Sequence, residues 1–245
     1  MSTHVEEIRP ITMPGVHRRF LAFFRKRGEP SGQKVLDLGA GQGALTRELY
    51  QMGHELHACD LFPEVFKFDP VECRKVDVTK AFPYPDGMFD LVIAVEVTEH
   101  ILDHEVFFSE INRILKPGGR LYISTPNILS MKSRFRFLFR GFPYGFGALD
   151  MENHDGLQHV ASLTLDQYNY IAVKHGFHTA EYDIDRVQST SRWLMYLCYP
   201  GLYFRQMIKG FSKIHNSRML LTGRLLFMVF KKPPTDPPHE SMHHL

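Results

Sequence analysis

The stretch VLDLGAGQG, Val35–Gly43, runs an apolar, strand-like segment directly into three glycines spaced two apart. Glycine at Gly39, Gly41 and Gly43 lets the backbone turn through positive φ and lets a ligand approach with no Cβ in the way. The following GALTRELYQMG reads as a helix that Gly53 closes, so the glycine turn joins a strand to a helix. In a parallel sheet such a turn lies at the carboxyl edge, where open α/β folds take their ligands. A glycine turn alone could serve a dinucleotide. Asp37 inside it argues otherwise, because a carboxylate repels a pyrophosphate and attracts a cationic amino group.

Outward from this turn, short apolar runs alternate with helical patterns. ELHACDL reads as a second strand, CRKVDV as a shorter third, FDLVIAVEV as a fourth and RLYISTPN as a fifth. Between the last two, DHEVFFSEINRILKPGG carries Val106, Phe107, Ile111, Ile114 and Leu115 at helical spacing and is expected to stop at Pro-Gly-Gly. LTLDQYNYIAVKHGF gives a helix ending at Gly176, LLFMVFKK a final strand, and GVHRRFLAFFRKRG a leading helix expected at the sheet edge. Strands alternating with helices predict a parallel sheet with helices on both faces. The expected organisation is one domain over residues 1–232. It has a core at 33–127, inserts at 128–163 and 187–223, and a disordered tail at 233–245.

Composition narrows the classes. The chain has 245 residues, 44% of them hydrophobic, and a formal charge of +2, too small to argue for nucleic acid. Cys59, Cys73 and Cys198 form no metal-binding spacing, and no secretory segment is read at the start, so a reducing cytosol is expected. The longest uncharged apolar run, WLMYLCYPGLYF from Trp193, is short of the about 20 residues a membrane span needs and is expected to break at Pro-Gly.

Taken in order, VLDLGAGQGALTREL, HACDL, VDVTKAFPYPDGMFDLVIAVEVTEHI and ILKPGGRLYISTPN resemble the class I S-adenosylmethionine-dependent methyltransferases, closely over Lys34–Asn127 and loosely to about Asp185. The resemblance implies a Rossmann-like α/β sheet with an antiparallel last strand and helical inserts after the fifth and sixth strands. It implies that Gly39, Ala40 and Gly41 cradle the methionine part of S-adenosylmethionine and that Asp37 helps hold its amino group. Asp60 would accept both ribose hydroxyls, a carboxylate suiting two vicinal donors. Leu61 would flank the adenine, Asp77 would accept from its amino group, and Val78 would offer a backbone N–H. As plain structure, Asp60 is a strand-end cap and Asp77 a solvated loop acid.

VEVTEH, Val95–His100, leaves the fourth strand beside this site and admits three readings. In one, Thr98 or Asp103 caps the next helix while Glu99 and His100 brace the turn. In another, His100 takes a proton from a substrate hydroxyl. In the third, Glu96, Glu99 and His100 hold a divalent cation. The Glu-x-x-Glu-His pattern resembles the cation site of the quinone-biosynthetic O-methyltransferases, although oxygen-loving cations take histidine less readily. Glu96 is expected to contact the cofactor or the substrate in any of them. The loop MENHDGLQHVASLT adds His154 and His159, with His159 the favoured second candidate base.

The inserts carry the remaining signal. Lys132, Arg136 and Arg140 recur every four residues beside Met131, Phe135, Leu138 and Phe139, and Arg205, Lys209 and Lys213 do so beside Phe204, Met207, Ile208 and Phe211. Such helices either pack their apolar stripes on the domain with cations in water, or lie on an anionic membrane. No RNA-binding motif accompanies them, and no nucleic-acid partner is expected. The segment after the fifth strand also resembles methyltransferases of bacterial surface-glycan pathways. The expected function is O-methylation of a hydroxyl on a lipid-linked or membrane-proximal acceptor, a glycan or quinone precursor, in the cytoplasm at the inner membrane face. The rivals are a soluble small-molecule acceptor, a non-catalytic scaffold of the same fold, and an NAD-dependent oxidoreductase.

Overall fold

The apolar runs of the sequence become the strands β1 Lys34–Leu38, β2 Glu55–Asp60, β3 Cys73–Lys75, β4 Phe89–Val95, β5 Leu115–Pro126, β6 Glu181–Ile184 and β7 Leu225–Lys231. The computed structural model describes residues 7–161, 163–207 and 215–234. The strands form one sheet in the order β3-β2-β1-β4-β5-β7-β6. β7 runs antiparallel to both β5 and β6, and the other pairings are parallel. β1 lies between β2 and β4, with Leu36 opposite His57 on one side and Val92 on the other.

Side chains alternate between the two faces of each strand, and both faces are covered. Val35, Leu91, Ile93, Val95 and Tyr122 pack under α1 (Val16–Arg25) and α2 (Ala44–Gln51). Leu36, Leu38, Val92, Ala94, Leu121 and Ile123 pack under α3 (His104–Ile114) and α5 (Leu165–Lys174). α1 therefore covers the centre of a sheet face, where Phe20, Phe23 and Phe24 meet Tyr122 at ring separations of 5.1–6.3 Å, and does not sit at the sheet edge. Its three phenylalanines need more apolar partners than an edge strand offers.

Two sequence-predicted boundaries shift. α3 starts under Asp103, whose carboxylate accepts from the N–H groups of Glu105 and Val106, but ends at Ile114 rather than at Pro-Gly-Gly. β5 already begins at Leu115, opposite Phe89, because Pro117 offers no helical N–H and biases Lys116 toward extended backbone. Pro200-Gly201 does not break the apolar run. The helix α6 spans Ser189–Met207 through Pro200, and its first half is docked by Leu194, Met195 and Cys198.

α4 (Met131–Arg140) follows β5, while α6 and α7 (Arg218–Thr222) follow β6, so both inserts leave the carboxyl edge of their parallel strands. Val187 and Gly223 pair across the base of the second insert. The stripe expected of α4 packs inward only in its first half, where Met131 and Phe135 meet Met195 and Leu221. Lys132 lies 3.7 Å from the Tyr144 ring centre. Arg134 donates to the carbonyls of Leu129 and His215 and to Asn216 Oδ1. Phe137, Leu138 and Phe139 face solvent instead. Buried backbone carbonyls at the α4–α7 junction require donors, and arginine supplies them. Ile208, Lys209, Phe211, Lys213 and the tail from 235 lie outside the described residues, as do the side chains of Phe204, Arg205 and Met207.

Candidate active site

The carboxyl ends of β1, β2, β3 and β4 open onto a cavity of about 1050 Å³. Gly39 and Gly41 form one wall at φ +77° and +54°. The turn is pinned by the Gly39 and Ala40 N–H groups, which both donate to the Cys59 carbonyl. Asp60 faces it from β2: Oδ2 accepts from the Gly41 N–H at 2.8 Å and Oδ1 from Phe62 at 2.9 Å. Each oxygen so held keeps capacity for one further donor. Leu61, Asp77 and Val78 line the same end. Asp77 accepts from the Thr79 N–H and hydroxyl and pairs with Lys80 at 2.9 Å, and these hydrogen bonds hold its carboxyl below the usual range.

Asp37 lines an adjoining cleft of about 30 Å³ with Gly39, Ala40, Gly41, Thr12 and His17. It is buried, accepts from the Thr46 hydroxyl at 2.6 Å, and burial pushes its carboxyl up to about 6. Ile11 and Thr12 line both spaces and Met13 the larger one, an approach that nothing in the sequence pattern signals.

VEVTEH builds the middle of the cavity. β4 ends at Val95, and Glu96 turns the chain with φ 57°, the one non-glycine positive φ among the described residues. That turn brings its carboxylate to the Ser124 hydroxyl, which donates at 2.8 Å. Thr98–His100 form a single tight turn; the Thr98 hydroxyl meets the Tyr168 hydroxyl at 2.9 Å, while Asp103 is the residue that caps α3. Glu99 is wholly buried. Its backbone carbonyl accepts from Val160 and Ala161, one carboxylate oxygen takes a long bond from Thr125, and the other has no partner among the described residues. Those two backbone bonds hold the loop so that His159 meets His100, ring centres 4.8 Å apart and nearly perpendicular. His154 is exposed and does not line the cavity.

Glu99, His100 and His159 each present one ligand atom, all within 4.8 Å of one another. The trio that could hold a cation thus includes His159 in place of Glu96, because Glu96 is turned to Ser124. Two imidazoles and one carboxylate suit a borderline transition cation better than magnesium. Without a cation the same groups suit proton transfer. His100 Nδ1 donates to the Gln158 carbonyl at 3.1 Å, which leaves Nε2 as the acceptor of a neutral ring. Burial, then the neighbouring His159, lowers the His100 pKa, and burial lowers that of His159.

Glu96 carries a measurable cost. Burial pushes its carboxyl up from 4.5 to about 7 against the Ser124 hydrogen bond. A raised carboxyl pKa means that stability is fully present below pH 4.5 and declines as the pH rises through about 7. Glu96→Gln keeps an acceptor for Ser124 and is expected to melt higher than the parent above neutrality, by at most on the order of 3 kcal/mol, with no advantage in acid. Thermal melts across that range check it, and curves that stay parallel remove the buried-charge account.

The sheet order and the cavity at its carboxyl edge define the class: the chain has the fold of the class I methyltransferases. Residues 36–123 match the family model described as Methyltransferase domain. The chain is 34% identical over 116 residues to the ubiquinone biosynthesis O-methyltransferase of Xanthomonas axonopodis pv. citri, covering 44% of this chain and 48% of that protein. It is 37% identical over 108 residues to the mitochondrial protein of that name from Homo sapiens, covering 39% and 29%. It spans less than half the length of either relative. A SAM-dependent methyltransferase from Archaeoglobus fulgidus superposes with a TM-score of 0.62 at 16% identity, covering 89% of this chain and 93% of that one. Phosphoethanolamine N-methyltransferase 2 of Haemonchus contortus, solved with S-adenosylmethionine, gives 0.56 at 23%, covering 88% and 52%.

Proposed function

We propose that the chain binds S-adenosylmethionine in the cavity and transfers its methyl group to a hydroxyl of a lipid-linked or membrane-proximal acceptor. The observation that carries this reading is one cavity lined by Asp60 and Asp77 from the ends of β2 and β3, by Glu96 and His100 from the end of β4, and by Tyr144 and Phe146, with Phe146 and His100 both against His159. At about 1050 Å³ the space reaches the upper range of small-molecule sites, about 300–1,000 Å³, enough for cofactor and acceptor together.

Asp60 takes the ribose hydroxyls on the acceptor capacity that Gly41 and Phe62 leave open. Leu61 flanks the adenine, with Asp77 and the Val78 N–H at its polar edge. Gly39, Ala40 and Gly41 admit the methionine part, and Asp37 lies below to attract its amino group. The bound cofactor supplies an electrophilic methyl group. His100 accepts the proton of the attacking hydroxyl through Nε2, while Glu96 and His159 border the acceptor and orient it. The likeness to the ubiquinone biosynthesis O-methyltransferases of Xanthomonas and Homo sapiens supports oxygen over nitrogen as the acceptor atom and a quinone precursor as one candidate. A lipid-linked glycan is the other, and both place the enzyme at the inner membrane face.

A second reading rests on the unpartnered Glu99 oxygen: a cation held by Glu99, His100 and His159 would satisfy it and lower the acceptor's pKa. The test of the main reading begins with calorimetry. Asp60→Ala should weaken S-adenosylmethionine binding by roughly 1–3 kcal/mol. Incubation with methyl-labelled cofactor and a source-cell extract should then place label in the lipid phase. Label in the aqueous phase alone would mean a soluble acceptor. Tight binding with no transfer to either phase would mean a non-catalytic scaffold.

A further inference from the structure

α4 and α6 present six large apolar side chains that are each more than half exposed: Phe137, Leu138 and Phe139 on the first, Trp193, Tyr196 and Leu197 on the second. Single exposed apolar residues are ordinary on a soluble protein, but six on one packed pair of helices are not. The two helices form one unit, since Met131, Met195 and Leu221 are buried together with Phe135, Leu194 and Cys198 against them. All the residues from Phe137 to Phe142 are exposed, so the end of α4 projects beyond the body of the protein.

We propose that this α4–α6 face docks on the surface of a membrane rich in anionic lipid. Arg140 of α4, Arg192 of α6 and Arg218 of α7 are exposed, while the acid that reaches this unit from α5, Asp166, is paired with His215 at 3.0 Å. No Asp or Glu occurs from 128 to 149 or from 187 to 232; the first acids beyond α4 are Asp150 and Glu152, in the following loop. Aromatic side chains with basic neighbours suit the headgroup layer, where tryptophan and tyrosine keep one end apolar and one end wet. Among the described residues no helix is long and apolar enough to cross a membrane, so the association is with the surface. A second copy of this chain is the poorer occupant, because a twofold contact through the same face would set its arginines against one another.

The position gives docking a purpose. Arg136 of α4 and Tyr144 just beyond it line the cavity, so a protein lying on this face opens its acceptor side toward the headgroups. A hydroxyl carried by a lipid then reaches His100 without leaving the bilayer. The inference deepens the reading of a lipid-borne acceptor and rests on it for its purpose, but its test needs no acceptor.

The full chain is floated with vesicles of phosphatidylcholine alone and of phosphatidylcholine with phosphatidylglycerol, at low and high salt. Retention on the anionic vesicles at low salt, and release as salt screens the charges, is the expected result. Arg140→Glu with Arg192→Glu should weaken retention roughly tenfold or more, and so should Phe139→Glu with Trp193→Glu. S-adenosylmethionine affinity should stay at the parental value in both variants, showing that the fold is intact. Three results overturn the proposal: no retention on either vesicle, retention that neither double variant weakens, or a dimer in sedimentation that both variants dissolve in place of vesicle binding. Vesicle binding without label in the lipid phase would leave the docking surface standing and remove the lipid-borne acceptor.

Discussion

Replacement of His100 by glutamine is expected to lower turnover by about 10²–10⁴-fold, some 3–5 kcal/mol of barrier, while S-adenosylmethionine binds about as before. The expectation follows from the ring's surroundings. Its Nδ1 is committed to the Gln158 carbonyl, so Nε2 is free to accept a proton, and burial holds the ring neutral to lower pH than usual. Because the neutral form is the base, turnover should fall as the pH drops below that depressed value, which lies under the ordinary 6.5. Glu96 titrates higher, at about 7, so the two candidates separate on the pH axis. A limb that survives Glu96→Gln and vanishes with His100→Gln assigns the base to the histidine; a limb that vanishes with Glu96 assigns it to the carboxylate. A chelation arm tests the cation reading in the same assay. If a cation works here, chelator removes activity, a divalent cation restores it, and His100→Gln and His159→Gln both weaken metal retention. Parental turnover in His100→Gln removes the proposed base altogether.

What the sequence made legible was local. Asp60 ends a strand whose apolar pattern is unambiguous, so its place opposite the glycine turn follows from strand order and the length of one helix. Glu96, Glu99 and His100 are near neighbours in the chain, and their arrival at one sheet edge follows from the end of β4. The encounter of His159 with His100 is of another kind. It depends on two hydrogen bonds from Val160 and Ala161 to a carbonyl about sixty residues away, and no spacing rule encodes that. The strap Ile11–Met13 was silent for the same reason. The periodicity of α4 left its partner open, because periodicity reports which residues share a stripe and not what lies against it: Met131 and Phe135 pack on the domain, while Leu138 and Phe139 do not. Lys132 and Arg136 turn to an aromatic ring and a cavity, and the apolar residues at the other end of the helix are left in solvent. The cavity also shows where local rules give way to the site. Glu96 sits at positive φ without being glycine, and Glu99 keeps a buried oxygen with no partner among the described residues. A fold tolerates such strain where other contacts over-determine the turn, and it tends to collect at functional sites.

Gly39→Ala should produce the largest combined loss. Gly39 has φ +77°, where an L side chain costs roughly 1–2 kcal/mol, and its added Cβ would stand 2.5 Å from Val97 Cγ2. Val97 is 9% exposed and set beside the Glu96 turn, so relief would have to come by moving packed atoms, at roughly 1–3 kcal/mol more. Gly87 separates the two costs, since its φ is +60° but a Cβ there meets nothing within 4 Å. Gly87→Ala is therefore expected to lower stability by the backbone share alone and to leave cofactor affinity untouched. Gly39→Ala should lose both shares of stability and about tenfold or more in S-adenosylmethionine affinity, because the same backbone forms the cavity wall. Adding Val97→Ala removes the clash but not the positive φ. The double variant should recover part of the melting temperature, with affinity still below the parent. If Gly39→Ala behaves like Gly87→Ala in both measurements, the glycine turn shapes the fold and does not cradle the cofactor, and the assignment of Gly39, Ala40 and Gly41 falls with it.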